Sequence, residues 1–134
     1  MFGPKTRVLI VDDMMCMRNL LKEMFEEIGF IEVTEAGDGS EAWEAVNSAP
    51  IPFDLIISDW NMPNYTGIDL LKCVRSDKRF KKTPFLMFTA ESEKHQVAYA
   101  LKAGVDQYVV KPCKKDQFIL MLELVHHKYS GVRE

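Results

Sequence analysis

The sequence predicts an α/β domain built on one doubly wound parallel sheet. Two observations carry that prediction. Short, continuously apolar runs rich in β-branched residues, such as Val8-Leu9-Ile10-Val11, have the composition of strands buried on both faces. Longer segments with apolar residues at helical spacing alternate with these runs in roughly five units, which is the signature of a parallel sheet wrapped by helices. At 134 residues the chain is long enough to bury a real core as one domain.

The elements follow in order. Val8 to Val11 form the first strand. Met17, Leu20, Leu21, Met24, Phe25 and Ile28 then keep helical spacing, with Arg18, Lys22, Glu23 and Glu26 on the other face, and Gly29 closes that helix. Ile31 and Val33 alternate with Glu32 and Thr34, as expected of a half-exposed edge strand. Asp38 and Glu41 have the spacing of a capping box opening a short helix through Ala42, Ala45 and Val46. Phe53 to Ser58 read as the third strand, followed by a helix through Ile68, Leu71 and Val74. Pro84 introduces a fourth strand, Phe85 to Phe88, and Ser92 is placed to cap the helix that runs to Ala103-Gly104. Tyr108 to Val110 form the fifth strand, and Phe118, Leu122 and Val125 mark the core stripe of a last helix. No linker, repeat or low-complexity segment interrupts residues 1–134.

Composition narrows the function. Hydrophobic residues make up 47% and charged residues 28% of the chain, ordinary values for a soluble globular protein. The net charge of −3 and pI near 5.6 leave no basic footprint for nucleic acid. Apolar stretches are strand-sized, so no membrane insertion is expected, and the opening MFGPKTR lacks the apolar centre of a signal peptide. Cys16, Cys73 and Cys113 form no CxxC pair, which fits reduced thiols without zinc and a cytoplasmic location.

Open α/β sheets bind ligands beyond the carboxyl ends of their strands, so the residues found there matter most. Asp12 and Asp13 follow the first strand, Asp59 the third, Thr89 the fourth, and Lys111 with Pro112 the fifth. If the strand order is 2-1-3-4-5, the three carboxylates converge, with Thr89 and Lys111 on adjoining strands. Clustered carboxylates need compensation, and a hard cation such as Mg2+ supplies it. Such a site also suits a phosphoryl group, held by the lysine charge and the threonine hydroxyl. Asp59 is then the best placed nucleophile, forming an aspartyl phosphate. Each residue has a plainer reading: Asp12 or Asp13 could cap the first helix, Asp59 could serve a turn with Asn61 and Pro63, and Lys111 could be surface. Their joint occurrence, one at each relevant strand end, favours the site.

The blocks VLIVDD, SDWNMP, LMFTAE and YVVKP, in this order and at these intervals, resemble the receiver domains of two-component response regulators, and among them the stand-alone chemotaxis type. The resemblance spans essentially the whole chain. It implies a flavodoxin-like sheet of order 2-1-3-4-5 with five helices, forming one receiver domain without an effector domain. It further implies that Asp59 accepts phosphate from a sensor histidine kinase. Mg2+ would be bound by Asp13, Asp59 and the backbone carbonyl of Asn61, with Asp12 acting through water. Thr89 and Lys111 would hold the phosphoryl group, and the Lys111–Pro112 peptide would be cis. Thr89 and Tyr108 would form the switch, and Asn61 and Glu91 would tune hydrolysis. Apart from self-catalysed phosphotransfer and dephosphorylation, such a protein is not an enzyme.

The implied output face is formed by the fourth helix, fifth strand and fifth helix, carrying Lys94, Val97, Leu101 and Tyr108. Expected partners are a flagellar motor switch protein or another output protein, and a phosphatase. In the stretch Phe118-Ile119-Leu120-Met121-Leu122, continued by Leu124 and Val125, the fifth helix is apolar nearly all round. This marks Met121 and Leu124 as candidates for an apolar contact or weak self-association. Departures from the family pattern include Met14, Met15 and Cys16 at the start of the first helix, where Cys16 is expected to pack. Cys113 is expected to fill core, and Tyr65-Thr66-Gly67 to alter loop shape. Competing readings are a receiver in a non-chemotactic phosphorelay, a flavin-binding flavodoxin, a phosphatase with an aspartate nucleophile, and a scaffold that is never phosphorylated. The pair Asp12-Asp13 opposes the flavin, because it would repel phosphate, and lacks the spacing of the phosphatase acids. The intact acid, threonine and lysine set opposes the scaffold.

Overall fold

In the computed structural model, the described residues are 5–29 and 32–133, with the side chains of 129–133 excepted. Strands and helices alternate throughout: β1 (Arg7–Val11), α1 (Met15–Ile28), β2 (Glu32–Ala36), α2 (Gly39–Ser48), β3 (Leu55–Ser58), α3 (Gly67–Ser76), β4 (Phe85–Thr89), α4 (Lys94–Ala103), β5 (Gln107–Val110) and α5 (Lys115–Arg133). All pairings are parallel, and the order is β2-β1-β3-β4-β5. This is the flavodoxin-like arrangement expected from the sequence.

The apolar runs are continuous because β1, β3 and β4 are covered on both faces. Leu9, Val11, Ile56, Phe85 and Met87 point toward α2, α3 and α4, where they meet Ala42, Val46, Leu70, Leu71, Val74 and Ala100. Val8, Ile10, Leu55, Ile57, Leu86 and Phe88 point the other way, onto Leu21, Phe25, Phe118, Leu122 and Val125 of α1 and α5. Phe118 meets Phe25 edge-on at 5.7 Å and Phe88 at 5.6 Å between ring centres. Burying each such side chain contributes roughly 1.5–3 kcal/mol, so these two layers hold the sheet.

Several local expectations need correction. The third strand begins at Leu55 rather than Phe53; just before it, Asp54 is tied to Arg7 twice, its carboxylate accepting the Arg7 amide at 2.9 Å and its own amide donating to the Arg7 carbonyl at 2.8 Å. Ser92 does not cap α4: Glu93 holds that position and no side chain closes the end. Asp38 does cap α2, accepting the Glu41 amide at 2.8 Å, but the reciprocal half of a capping box is absent from that helix. The full box lies at α3, where Thr66 accepts from the Asp69 amide and the Asp69 carboxylate accepts from the Thr66 amide. Cys16 is exposed and packs into neither layer, whereas Cys113 is half-buried against the second. Ile31, assigned to the second strand, lies outside the described residues.

Candidate functional site

Register places the acids together. Val11 of β1 pairs with Ser58 of β3, so Asp12 and Asp59 leave neighbouring strands at one level. Oxygen atoms of Asp12, Asp13 and Asp59 come within 4.8 Å of one another. Asp12 is buried, Asp59 half-buried and Asp13 exposed. Lys111 reaches them from beyond the end of β5: its Nζ donates to Asp12 Oδ2 at 2.7 Å and to Asp59 Oδ2 at 3.2 Å. Burial opposes the ammonium charge. The hydrogen bond it donates to Asp12 and the charges of Asp12 and Asp59 outweigh it, holding Lys111 above its ordinary range.

The backbone fixes these carboxylates. Asp12 Oδ1 accepts the Met14 amide at 3.0 Å, and the Asp12 carbonyl accepts Arg18 Nη1 at 2.7 Å. Neither Asp12 nor Asp13 is the cap of α1, since Met14 occupies that position without a side-chain bond. Asp59 Oδ1 accepts the Trp60 amide at 2.7 Å, leaving Oδ2 toward Lys111. Under the Asp59 carbonyl lies Gly67, where an added Cβ would come within 2.0 Å of that oxygen. The glycine is therefore a packing requirement of the Asp59 loop, and it was legible in the sequence only as a turn residue.

Around the acids stand the remaining candidates. Thr89 is fully buried at the end of β4, and its Oγ1 accepts the Glu91 amide at 3.3 Å. Asn61 Nδ2 donates to Glu91 Oε1 across the mouth of the site. Tyr108 OH donates to the Glu91 carbonyl at 2.7 Å, and its ring meets Trp60 at 6.4 Å. Burial, followed by the charges of Glu91 and Asp59, pushes the Tyr108 phenol up to about 12. The Lys111–Pro112 peptide is cis.

On the α4–β5–α5 face, Lys94, Leu101 and Leu124 are exposed, and Val97 and Tyr108 are half-buried. Met121 is half-buried, like Val97 and Tyr108, and packs in part against the α1–α5 layer. Leu120 of α5 and Val110 at the end of β5 are exposed as well. The period of α5 explains this: Phe118, Leu122 and Val125 face the sheet, and Met121 flanks that stripe while Leu120 and Leu124 turn outward.

Three oxygen-donor acids converging beside a lysine on a parallel sheet define a receiver site, and the sequence comparison agrees. The response regulator receiver domain family model matches residues 8–123, and the chain belongs to that family of two-component signalling proteins. It is 42% identical over 125 residues to the chemotaxis protein CheY of Pseudomonas aeruginosa, covering 93% of this chain and 99% of that protein. It is 44% identical over 119 residues to CheY1 of Helicobacter pylori, covering 89% and 95%. The solved CheY4 of Vibrio cholerae superposes with a TM-score of 0.81 at 35% identity, over 90% of this chain and 98% of that one. Membership in this signalling family displaces the flavin-binding and phosphatase readings. Among the described residues, no helix is long and apolar enough to cross a membrane.

Proposed function

We propose that this protein is a phosphorylation-controlled switch in which Asp59 is the phosphoacceptor, serving a chemotaxis pathway like that named for its relatives. The observation that carries the reading is the approach of Lys111 Nζ to both Asp12 and Asp59 within the acid cluster. A carboxylate oxygen of Asp59 attacks the phosphorus of a phosphohistidine on a sensor kinase. The new P–O bond forms as the P–N bond breaks, and the imidazole keeps the electron pair and takes up a proton. Lys111, already oriented beside Asp59, neutralises charge on the phosphoryl oxygens, and the Thr89 hydroxyl donates to them. Hydrolysis returns the carboxylate and releases phosphate, with Asn61 and Glu91 screening the approach of water.

The donor set fits a hard divalent cation: all its ligand atoms are oxygens, and the exposed Asp13 carboxylate accepts no hydrogen bond among the described residues. Asp12, Asp13, Asp59 and the Asn61 carbonyl would hold Mg2+, which supplies charge neutralisation for the transferring phosphoryl group. Output follows from Thr89 and Tyr108, whose contacts converge on the Glu91 segment before α4. A change there alters the face bearing Lys94, Val97, Leu101, Leu120 and Leu124, the surface offered to a flagellar motor switch protein.

The test is incubation with acetyl phosphate and Mg2+, followed by intact mass. One phosphoryl group is expected, dependent on Mg2+ and absent in Asp59→Asn. Modification persisting in that variant overturns the assignment. Failure of the phosphorylated protein to bind a motor-switch peptide would place the domain in another phosphorelay.

A further inference from the structure

A groove outside the acid site lies between α3 and α4. It has a volume of about 290 Å³ and is lined by Lys72, Arg75, Ser76, Tyr99, Lys102 and Ala103. Three cations and no acid line it, in a chain whose net charge is −3. Lys72 stands on one wall and Lys102 on the other. Lys102 forms no ion pair among the described residues. The acid nearest Lys72 along its helix, Asp69, has its carboxylate taken by the Thr66 amide at 3.1 Å and hydroxyl at 2.9 Å.

Arg75 plays a different part. Its Nε donates to the Gly104 carbonyl at 2.9 Å, Nη1 to the Thr83 carbonyl at 2.6 Å, and Nη2 to buried Asp106 at 3.0 Å. The guanidinium is thus a fixed floor committed to these acceptors; Lys72 feels the charge of Asp69, and Lys102 carries a charge with no ion pair among the described residues. Tyr99 supplies a flat ring that is 47% exposed; its hydroxyl accepts from Lys72 Nζ, and that ammonium lies 4.9 Å from the ring centre.

We propose that this groove binds a phosphate monoester carrying a planar ring, of the nucleoside monophosphate class. The two lysines and the Ser76 hydroxyl surround the phosphate, whose several oxygens engage donors from both walls at once. The ring lies on Tyr99, taking the place of the Lys72 ammonium, which moves from the tyrosine to the phosphate. The volume sits at the small end of ligand cavities, which admits a mononucleotide and not a dinucleotide. Tyr99 in turn meets Trp60 at 6.5 Å, and Trp60 meets Tyr108 at 6.4 Å. An occupied groove therefore touches a row of rings that begins at Tyr99, passes through Trp60, the residue after Asp59, and ends at the Glu91 carbonyl. That regulatory consequence rests on the phosphoacceptor reading above; the binding itself does not.

The test is an amide-resolved NMR titration of the full chain without Mg2+, using adenosine monophosphate, adenosine and inorganic phosphate separately. Adenosine monophosphate is expected to shift amides at 72–76 and 99–103 and the Trp60 indole, more strongly than either part alone. Lys72→Ala and Lys102→Ala should each weaken binding roughly threefold to fivefold. Tyr99→Leu should make the nucleotide and phosphate equivalent, and Asp59→Asn should leave the groove shifts intact. An equal response to phosphate and nucleotide, shifts confined to Asp12, Asp13 and Asp59, or unchanged binding in Lys102→Ala would each overturn the proposal. For the regulatory part, saturating nucleotide should change the rate of Asp59 phosphorylation by acetyl phosphate at least twofold in the parent and not in Tyr99→Leu. An unchanged rate in the parent sinks the coupling. Absence of any phosphorylation would instead strike the phosphoacceptor reading and leave the titration standing.

Discussion

Lys111 is the residue on which the acid site balances. Its Nζ lies between a carboxylate side chain 2% exposed and another 13% exposed, while its own side chain is 14% exposed. Removing it leaves Asp12 buried without a counter-charge. Lys111→Met is expected to lose roughly 3 kcal/mol in urea unfolding at neutral pH, and added Mg2+ should restore part of the loss. Because the folded pKa of Lys111 is raised, its contribution is complete below the unfolded lysine value of about 10.4 and fades only as pH climbs through the folded one. Tyr108 gives a second, optical readout. Its phenol is pushed up to about 12 by burial and then by the charges of Glu91 and Asp59. The neutral ring therefore favours the fold below the ordinary tyrosine range, and this advantage is lost as pH rises toward the folded value. In an absorbance titration, Tyr108→Phe should delete a late-ionising phenol. It should also cost about 1 kcal/mol at neutral pH through the lost bond to the Glu91 carbonyl.

At the level of elements, the ends of helices separate what local sequence decides from what packing decides. Thr66→Ala removes a complete capping box and should cost about 1 kcal/mol, seen as a lower thermal midpoint, while Ser92→Ala should leave it unchanged. The strands were legible because burial on both faces forces uninterrupted apolar runs, as in Val8 to Val11 and Phe85 to Phe88. The acids and Lys111 were legible because each ends such a run. Ser92 misled because a capping residue one position from a helix start looks identical in sequence to a true cap. Thr66, set between the loop residues Tyr65 and Gly67, carries no local mark that separates a cap from a turn residue. Contacts that only the folded backbone creates left no local signal: Arg18 on the Asp12 carbonyl, Gly67 beneath Asp59, and Trp60 between Tyr99 and Tyr108. The half-burial of Met121 left no local signal either, since a helix apolar nearly all round does not announce which side faces the sheet.

Across the whole molecule, acids gather at one end of the sheet and apolar side chains on one flank. Leu101, Val110, Leu120 and Leu124 are between 39% and 53% exposed on the α4–β5–α5 flank. A partner held there by apolar burial should stay bound at raised salt, because screening weakens ion pairs and not apolar contact. Leu120→Lys with Leu124→Lys should weaken that binding without loss of fold, whereas Met121→Lys should itself lower stability by roughly 1–2 kcal/mol, since its side chain packs on the α1–α5 layer. Motor-switch peptide binding and urea unfolding on these variants distinguish the two effects. The reach of Lys111 has a further consequence, one that concerns synthesis. Its bond to Asp12 joins residues 99 positions apart in the chain. During translation the three acids are made well before their cation, so a nascent chain halted before β5 carries an acid cluster with no internal counter-charge. Such a chain should take up phosphate from a small donor poorly even if its first strands have paired. Signalling competence would then arrive late, with the last strand, and half-made copies would stay silent in the pathway.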